Sequence, residues 1–162
     1  MISRIALLAA ASAVLLAAAM PATGSQALTG PGTVRITDKL QRHIHVRFDK
    51  HVMIDGDSTK RSRAGDLDFY RQALFTKSAR PVNIGHSDLT CVNTGTGSSN
   101  CTGTYFLPKG KIMVGGVIAS RLIYELAVVG GTGLYDNVRG TLTVTFMGGL
   151  PAQEFLIFRL GV

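Results

Sequence analysis

From Gly85 to Gly140 the chain is a succession of short apolar and threonine-rich segments punctuated by glycine. It ends in the run Val129-Gly130-Gly131-Thr132-Gly133-Leu134-Tyr135-Asp136-Asn137-Val138-Arg139-Gly140. Threonine, valine, isoleucine and tyrosine fit a pleated, half-buried surface, and glycine opens backbone angles closed to other residues. No segment after the N-terminal apolar run has sustained helical periodicity. The spacing predicts eight strands, at about residues 42–54, 67–75, 83–93, 101–107, 111–115, 122–129, 138–147 and 153–160, with the glycine run as the turn before the seventh. Eight consecutive strands joined by short turns remove their exposed edges by closing. The expected fold class is therefore all-β, an eight-stranded antiparallel up-and-down β-barrel.

Alternation assigns faces. Leu142, Val144 and Phe146 alternate with Thr141, Thr143 and Thr145, which reads as a half-buried strand. In the first predicted strand, Ile44, Val46 and Phe48 share one face, and His43, His45, Arg47, Asp49 and His51 share the other. Which of these faces lines the lumen stays open. Histidines two apart point the same way and are suited to zinc or copper. The competing reading of the stripe is a solvated outer face or a subunit contact, and no metal is assigned. Asp55-Gly56-Asp57-Ser58 lacks the remaining ligands of a calcium loop and reads as a turn.

Met1 to Arg4 carries one positive charge, residues 5–20 are apolar apart from Ser12, and Ser25-Gln26-Ala27 has small residues where a signal peptidase needs them. Residues 1–27 are expected to be a secretory signal cut after Ala27, residues 28–41 an N-terminal segment and residues 42–162 the barrel. The apolar run is short for the roughly 20 residues of a membrane span, so no stable membrane insertion is expected after cleavage. Residues 33–80 hold eleven basic and six acidic groups, against five and four in residues 81–162. That excess reads as a solvated basic rim. There is no long Lys/Arg block, aromatic-rich binding strand or nucleic-acid motif, so no nucleic-acid partner is expected.

Two cysteines in an exported chain predict one disulfide, Cys91 to Cys101. Both must then lie on one face. That face carries Ser87, Leu89, Cys91 and Asn93 on one strand, and Cys101, Gly103, Tyr105 and Leu107 on the next. If the disulfide points inward, so does Tyr105.

The order of parts resembles the allene oxide cyclase and dirigent β-barrel superfamily, in its bacterial secreted branch. The resemblance rests on Gly65-Asp66 before a Phe/Tyr/Leu strand, Gly85 with Cys91-Val92, Cys101-Thr102-Gly103-Thr104-Tyr105, Gly110-Lys111-Ile112-Met113-Val114-Gly115-Gly116, and Gly130-Gly131-Thr132-Gly133 leading to Arg139-Gly140. It covers residues 65–162 and implies an eight-stranded barrel, often trimeric, with a ligand cavity at one mouth and no metal or cofactor. Cyclase members place a cysteine near Cys91 in the cavity, but here Cys91 has a partner. They also use a Glu and an Asn on the first strand, where this chain has His43/His45 or His45/Arg47. Dirigent members use buried carboxylates and an Arg near the glycine turn. Arg139 matches that Arg, with Asp136 and Glu125 as its possible acid partners.

The expected function is binding of a small hydrophobic molecule, with steering toward cyclisation or coupling. Tyr105 and Arg139 are the candidate catalytic residues, and Tyr105, Leu89, Asn93, His45 and Arg47 the candidate ligand contacts. A non-catalytic lipocalin-like binder and a solid surface-interaction barrel are the rival readings. An eight-stranded barrel is just wide enough to be filled or to hold one small ligand.

Overall fold

The computed structural model describes residues 32–47, 63–161 and the backbone of 52–55. Nine strands follow in chain order: β1 Thr33–Arg47, β2 Val52–Asp55, β3 Leu67–Thr76, β4 Asn83–Asn93, β5 Ser99–Leu107, β6 Gly110–Ile118, β7 Ile123–Gly133, β8 Arg139–Gly148 and β9 Gln153–Gly161. From β3 to β9 each strand pairs antiparallel with the next. β1 pairs with β3 on one side and β9 on the other, which closes an eight-stranded barrel. β2 is additional: among the described residues it pairs only with the last residues of β1, Ile44 to Arg47.

Two local expectations need correction. The first predicted strand, 42–54, is two strands, and β1 begins at Thr33. Residues 33–40 alternate as strictly as any strand in the chain, but Asp38 interrupts the apolar stripe of Val34, Ile36 and Leu40 and hides it. The glycine run is also not the turn. Gly130 to Gly133 end β7 and pair with Gly110 to Met113, and the turn itself is Leu134–Asn137. The glycines are there because the turn folds back over them. A Cβ on Gly131 would sit 2.2 Å from the Tyr135 carbonyl oxygen, and Gly133 has φ +66°.

A β-bulge between Leu40 and Arg42 reverses the inward side of β1. Before it, even-numbered residues face inward; after it, His43 and His45 do. Ile36, Leu74, Ile112, Val128, Leu142, Leu156 and Phe158 are buried, and Tyr105 packs edge-on against Phe158 with ring centroids 5.0 Å apart. Each fully buried side chain of this size stabilises by about 1.5–3 kcal/mol. Leu142 and Val144 face the core as expected. Phe146 of the same stripe is 40% exposed where β8 ends.

Cys91 and Cys101 form the disulfide. They are directly opposite each other on β4 and β5, and both are buried. Ser87, Leu89, Asn93 and Tyr105 are buried with them, so this face lines the interior. The proposed signal segment and His51 lie outside the described residues.

Candidate functional site

Among the described residues, polar side chains gather inside the barrel in two places. The first brings β9 and the first half of β1 together. Asp38 and Glu154 are paired across these strands, and the Glu154 N–H donates to Asp38 Oδ1 at 3.1 Å. Tyr124 of β7 donates its hydroxyl to Glu154 Oε2, and Gln72 of β3 donates its amide to the same oxygen, each at 3.2 Å. The Ser87 hydroxyl donates to Gln72 Oε1 at 2.9 Å, which orients that amide.

Electrostatics follow from this placement. Burial, then the nearby Glu154 charge, pushes the Asp38 carboxyl up to about 8, against the pull of the Glu154 N–H. Burial also raises Glu154, while the bonds from Tyr124 and Gln72 and the charge of Arg121 oppose the shift. Tyr105 and Tyr124 are both held well above the usual phenol range by burial and by these carboxyls. Asp38 Oδ2 is the one buried side-chain oxygen or nitrogen among the described residues without a hydrogen-bond partner. A carboxyl that is neutral near pH 7 with one oxygen unengaged is equipped to donate to something in the lumen.

The second cluster joins the far half of β1 to the starts of β3 and β5 and the end of β4. His43 Nε2 and His45 Nδ1 each lie 2.8 Å from Asp68 Oδ1, and His45 Nε2 lies 3.4 Å from Asp66 Oδ2. Asn93 donates to Asp68 Oδ2 at 2.7 Å and accepts from the Ser99 hydroxyl at 2.9 Å. Burial pushes the Asp68 carboxyl up, but hydrogen bonds from His43, Asn93 and His45 outweigh it and hold it well below the usual carboxylate range. His43 also stacks on Tyr70, ring centroids 4.4 Å apart. His43 and His45 thus face inward, with His43 Nε2 and both ring nitrogens of His45 set against carboxylates. Among the described residues, no three His, Cys, Asp or Glu are disposed to hold a metal ion.

The structure brings Tyr105 near the carboxyl pair and places Leu89 in the apolar core. His45 and Asn93 belong to the second cluster, and Arg47 is half-buried at the end of β1. Arg139 needs correction as a lumen residue. It is exposed, donates to the Val138 carbonyl at 3.1 Å, and lies over Gly130 near Met113 on the outer wall. Its position alternates with the buried Leu142 and Val144, so it points away from them. Asp136 and Glu125 are exposed as well. A shallow depression of about 350 Å³, lined by Asp88, Thr90, Thr102, Thr104, Met113 and Val129 among others, lies mainly on the outward sides of β4 to β7, away from both clusters.

Asp38, Glu154, Tyr124 and Gln72 escaped the sequence reading. The signal for Glu154 was present, since it continues the inward stripe Leu156, Phe158, Leu160 and is the one charged residue in it. Asp38 likewise breaks the stripe of Val34, Ile36 and Leu40, in a segment read as preceding the barrel.

The chain is a closed eight-stranded antiparallel barrel with a partly polar interior. No family model and no curated protein matches the chain. Solved structures do. Pyocyanin demethylase matches with a TM-score of 0.63 and 22% identity, covering 79% of this chain and 98% of that one. The pterocarpan synthase dirigent protein PsPTS1 matches with a TM-score of 0.60 and 17% identity, covering 80% and 93%. The Diels–Alderase AbmU from Streptomyces koyangensis matches with a TM-score of 0.54 and 12% identity, covering 80% and 68%.

Proposed function

We propose that this chain takes a small hydrophobic molecule bearing an oxygen into the barrel and steers its rearrangement, as a cofactor-independent isomerase or cyclase, with Asp38 as the acid. One observation carries this reading: a buried carboxyl, raised to about 8, with Oδ2 unengaged beside Glu154. In this reading neutral Asp38 donates to the ligand oxygen as negative charge develops there. Glu154, held by Tyr124 and Gln72, keeps the pair from ionising together, and Tyr105 and Phe158 form the wall that selects one ligand conformer. A positioned acid of this kind contributes about 10²–10⁴-fold. The proton returns to Asp38 as product forms, so the net change is an isomerisation. The names of the fold neighbours support a small-molecule substrate: one demethylates pyocyanin, one is a pterocarpan synthase and one a Diels–Alderase. Export is part of the proposal, supported by the buried disulfide, as is assembly into a homotrimer.

The first test is native mass spectrometry of the protein purified from its own host, followed by product analysis with whatever ligand it carries. A ligand converted by the wild type, and converted at least about 100-fold more slowly by Asp38→Asn, supports the reading. Tyr105→Phe should alter turnover or affinity. A ligand returned unchanged sinks the catalytic part and favours the second reading, a lipocalin-like binder.

A further inference from the structure

We propose that the end of the barrel where β7 and β9 begin is a docking surface for an anionic lipid bilayer. Five large apolar side chains are exposed there on two neighbouring connections. Leu122 (70% exposed) and Ile123 lead into β7; Phe146, Met147 and Leu150 (102%) surround the turn from β8 to β9. The connections are bonded to each other: the Phe146 N–H donates to the Leu122 carbonyl at 2.9 Å, and Ile123 is paired with Thr145. Scattered apolar residues on a surface need no explanation, but a contiguous apolar rim marks an interaction site.

The charge of the described surface identifies the partner. Arg121 is exposed next to Leu122. Among the side chains described, twelve Arg and Lys are exposed, whereas Asp38, Asp66 and Asp68 are buried and Glu154 hydrogen-bonds inside the barrel. Of the described acidic side chains, Asp88, Glu125 and Asp136 remain outside to balance them. The described outer surface therefore carries a clear cationic excess. Apolar side chains beside Arg121, on a surface with a cationic excess, suit the boundary where acyl chains begin beneath anionic head groups. The contact is peripheral, made by turns, and needs no inserted strand or helix.

The docking stands without the catalytic reading. With it, docking also explains how a hydrophobic ligand arrives, because Glu154 is paired with Phe146 at this same end.

The test is co-sedimentation with vesicles of phosphatidylcholine alone and of phosphatidylcholine mixed with phosphatidylglycerol, using protein purified from its host. Expected is binding to the mixed vesicles that weakens as salt is raised, and falls about fivefold with Arg121→Gln. The double variant Leu122→Ser/Leu150→Ser should abolish it. Val82→Ser/Leu134→Ser, exposed apolar residues at the opposite end, should leave it intact. Circular dichroism establishes that each variant is folded; if the rim double variant is not, Arg121→Gln and the salt series decide. Absence of vesicle binding, or equal loss with both double variants, overturns the proposal. So does a wild-type oligomer that Leu122→Ser/Leu150→Ser dissociates without changing vesicle binding, because the rim is then covered by a second copy. Vesicle binding without any ligand turnover would leave docking standing and remove only the catalytic reading.

Discussion

Asp38 and Asp68 are both buried aspartates, and their surroundings drive them in opposite directions. Asp38 faces another carboxylate and keeps one oxygen unengaged, so folding favours its protonated form. The stability this contributes is complete below about pH 4 and is lost as pH rises through about 8. Thermal melts of the wild type should therefore decline across that window, and Asp38→Asn should flatten the decline. Equal slopes would show that Asp38 is not the group responsible. Asp68 receives three side-chain donors, so folding favours its charged form. Its contribution is present above the ordinary carboxylate range and is lost as pH falls through and below it. Asp68→Asn should cost about 3 kcal/mol at neutral pH, in the range for removing one partner of a buried charged cluster, and should weaken the acid limb of the stability profile. Urea titrations at pH 7 and pH 3 would measure both; a variant as stable as the wild type at pH 7 would refute the cluster's role.

At the scale of elements, the β4–β5 hairpin is the most tightly specified part of the barrel. Cys91 and Cys101 are ten residues apart and face each other across it. Closing a loop of this length removes unfolded-state freedom worth about 2–3 kcal/mol. Cys91→Ala/Cys101→Ala should lower the urea midpoint accordingly while the far-ultraviolet spectrum stays β-type; an unchanged midpoint would mean that the barrel already holds this hairpin. The bulge in β1 has the larger functional consequence. By reversing the inward side after Leu40, it lets one strand supply Asp38 to the first polar cluster and His43 and His45 to the second.

For the molecule as a whole, closure through β1 and β9 distinguishes eight strands from the ninth. Among the described residues every barrel strand has two neighbours, whereas β2 has only the end of β1. Local opening draws on the least connected parts of a fold. Hydrogen exchange should therefore release the amides of Val52 to Asp55 well before those of β4, β5 or β9. Protection of β2 equal to that of the barrel would mean that something further covers it.

Much of this was legible in the chain. Alternation with a period of two is local, so β3 to β9 could be read within a few residues of their observed ends. The face shared by Cys91, Cys101 and Tyr105 followed from that same period once the two thiols were paired. The inward histidine stripe was visible as a stripe, but its direction depends on a bulge that leaves no mark on the sequence. The carboxyl pair lay beyond local reading altogether. Asp38 and Glu154 are 116 residues apart, and only the antiparallel register of β1 on β9 sets one beside the other. Pattern along a chain reports which side of a strand is apolar. Which strands meet, which polar groups then share a dry interior, and how far burial and charge shift them are properties of the closed barrel, because desolvation and Coulomb energy depend on distances that exist only after folding.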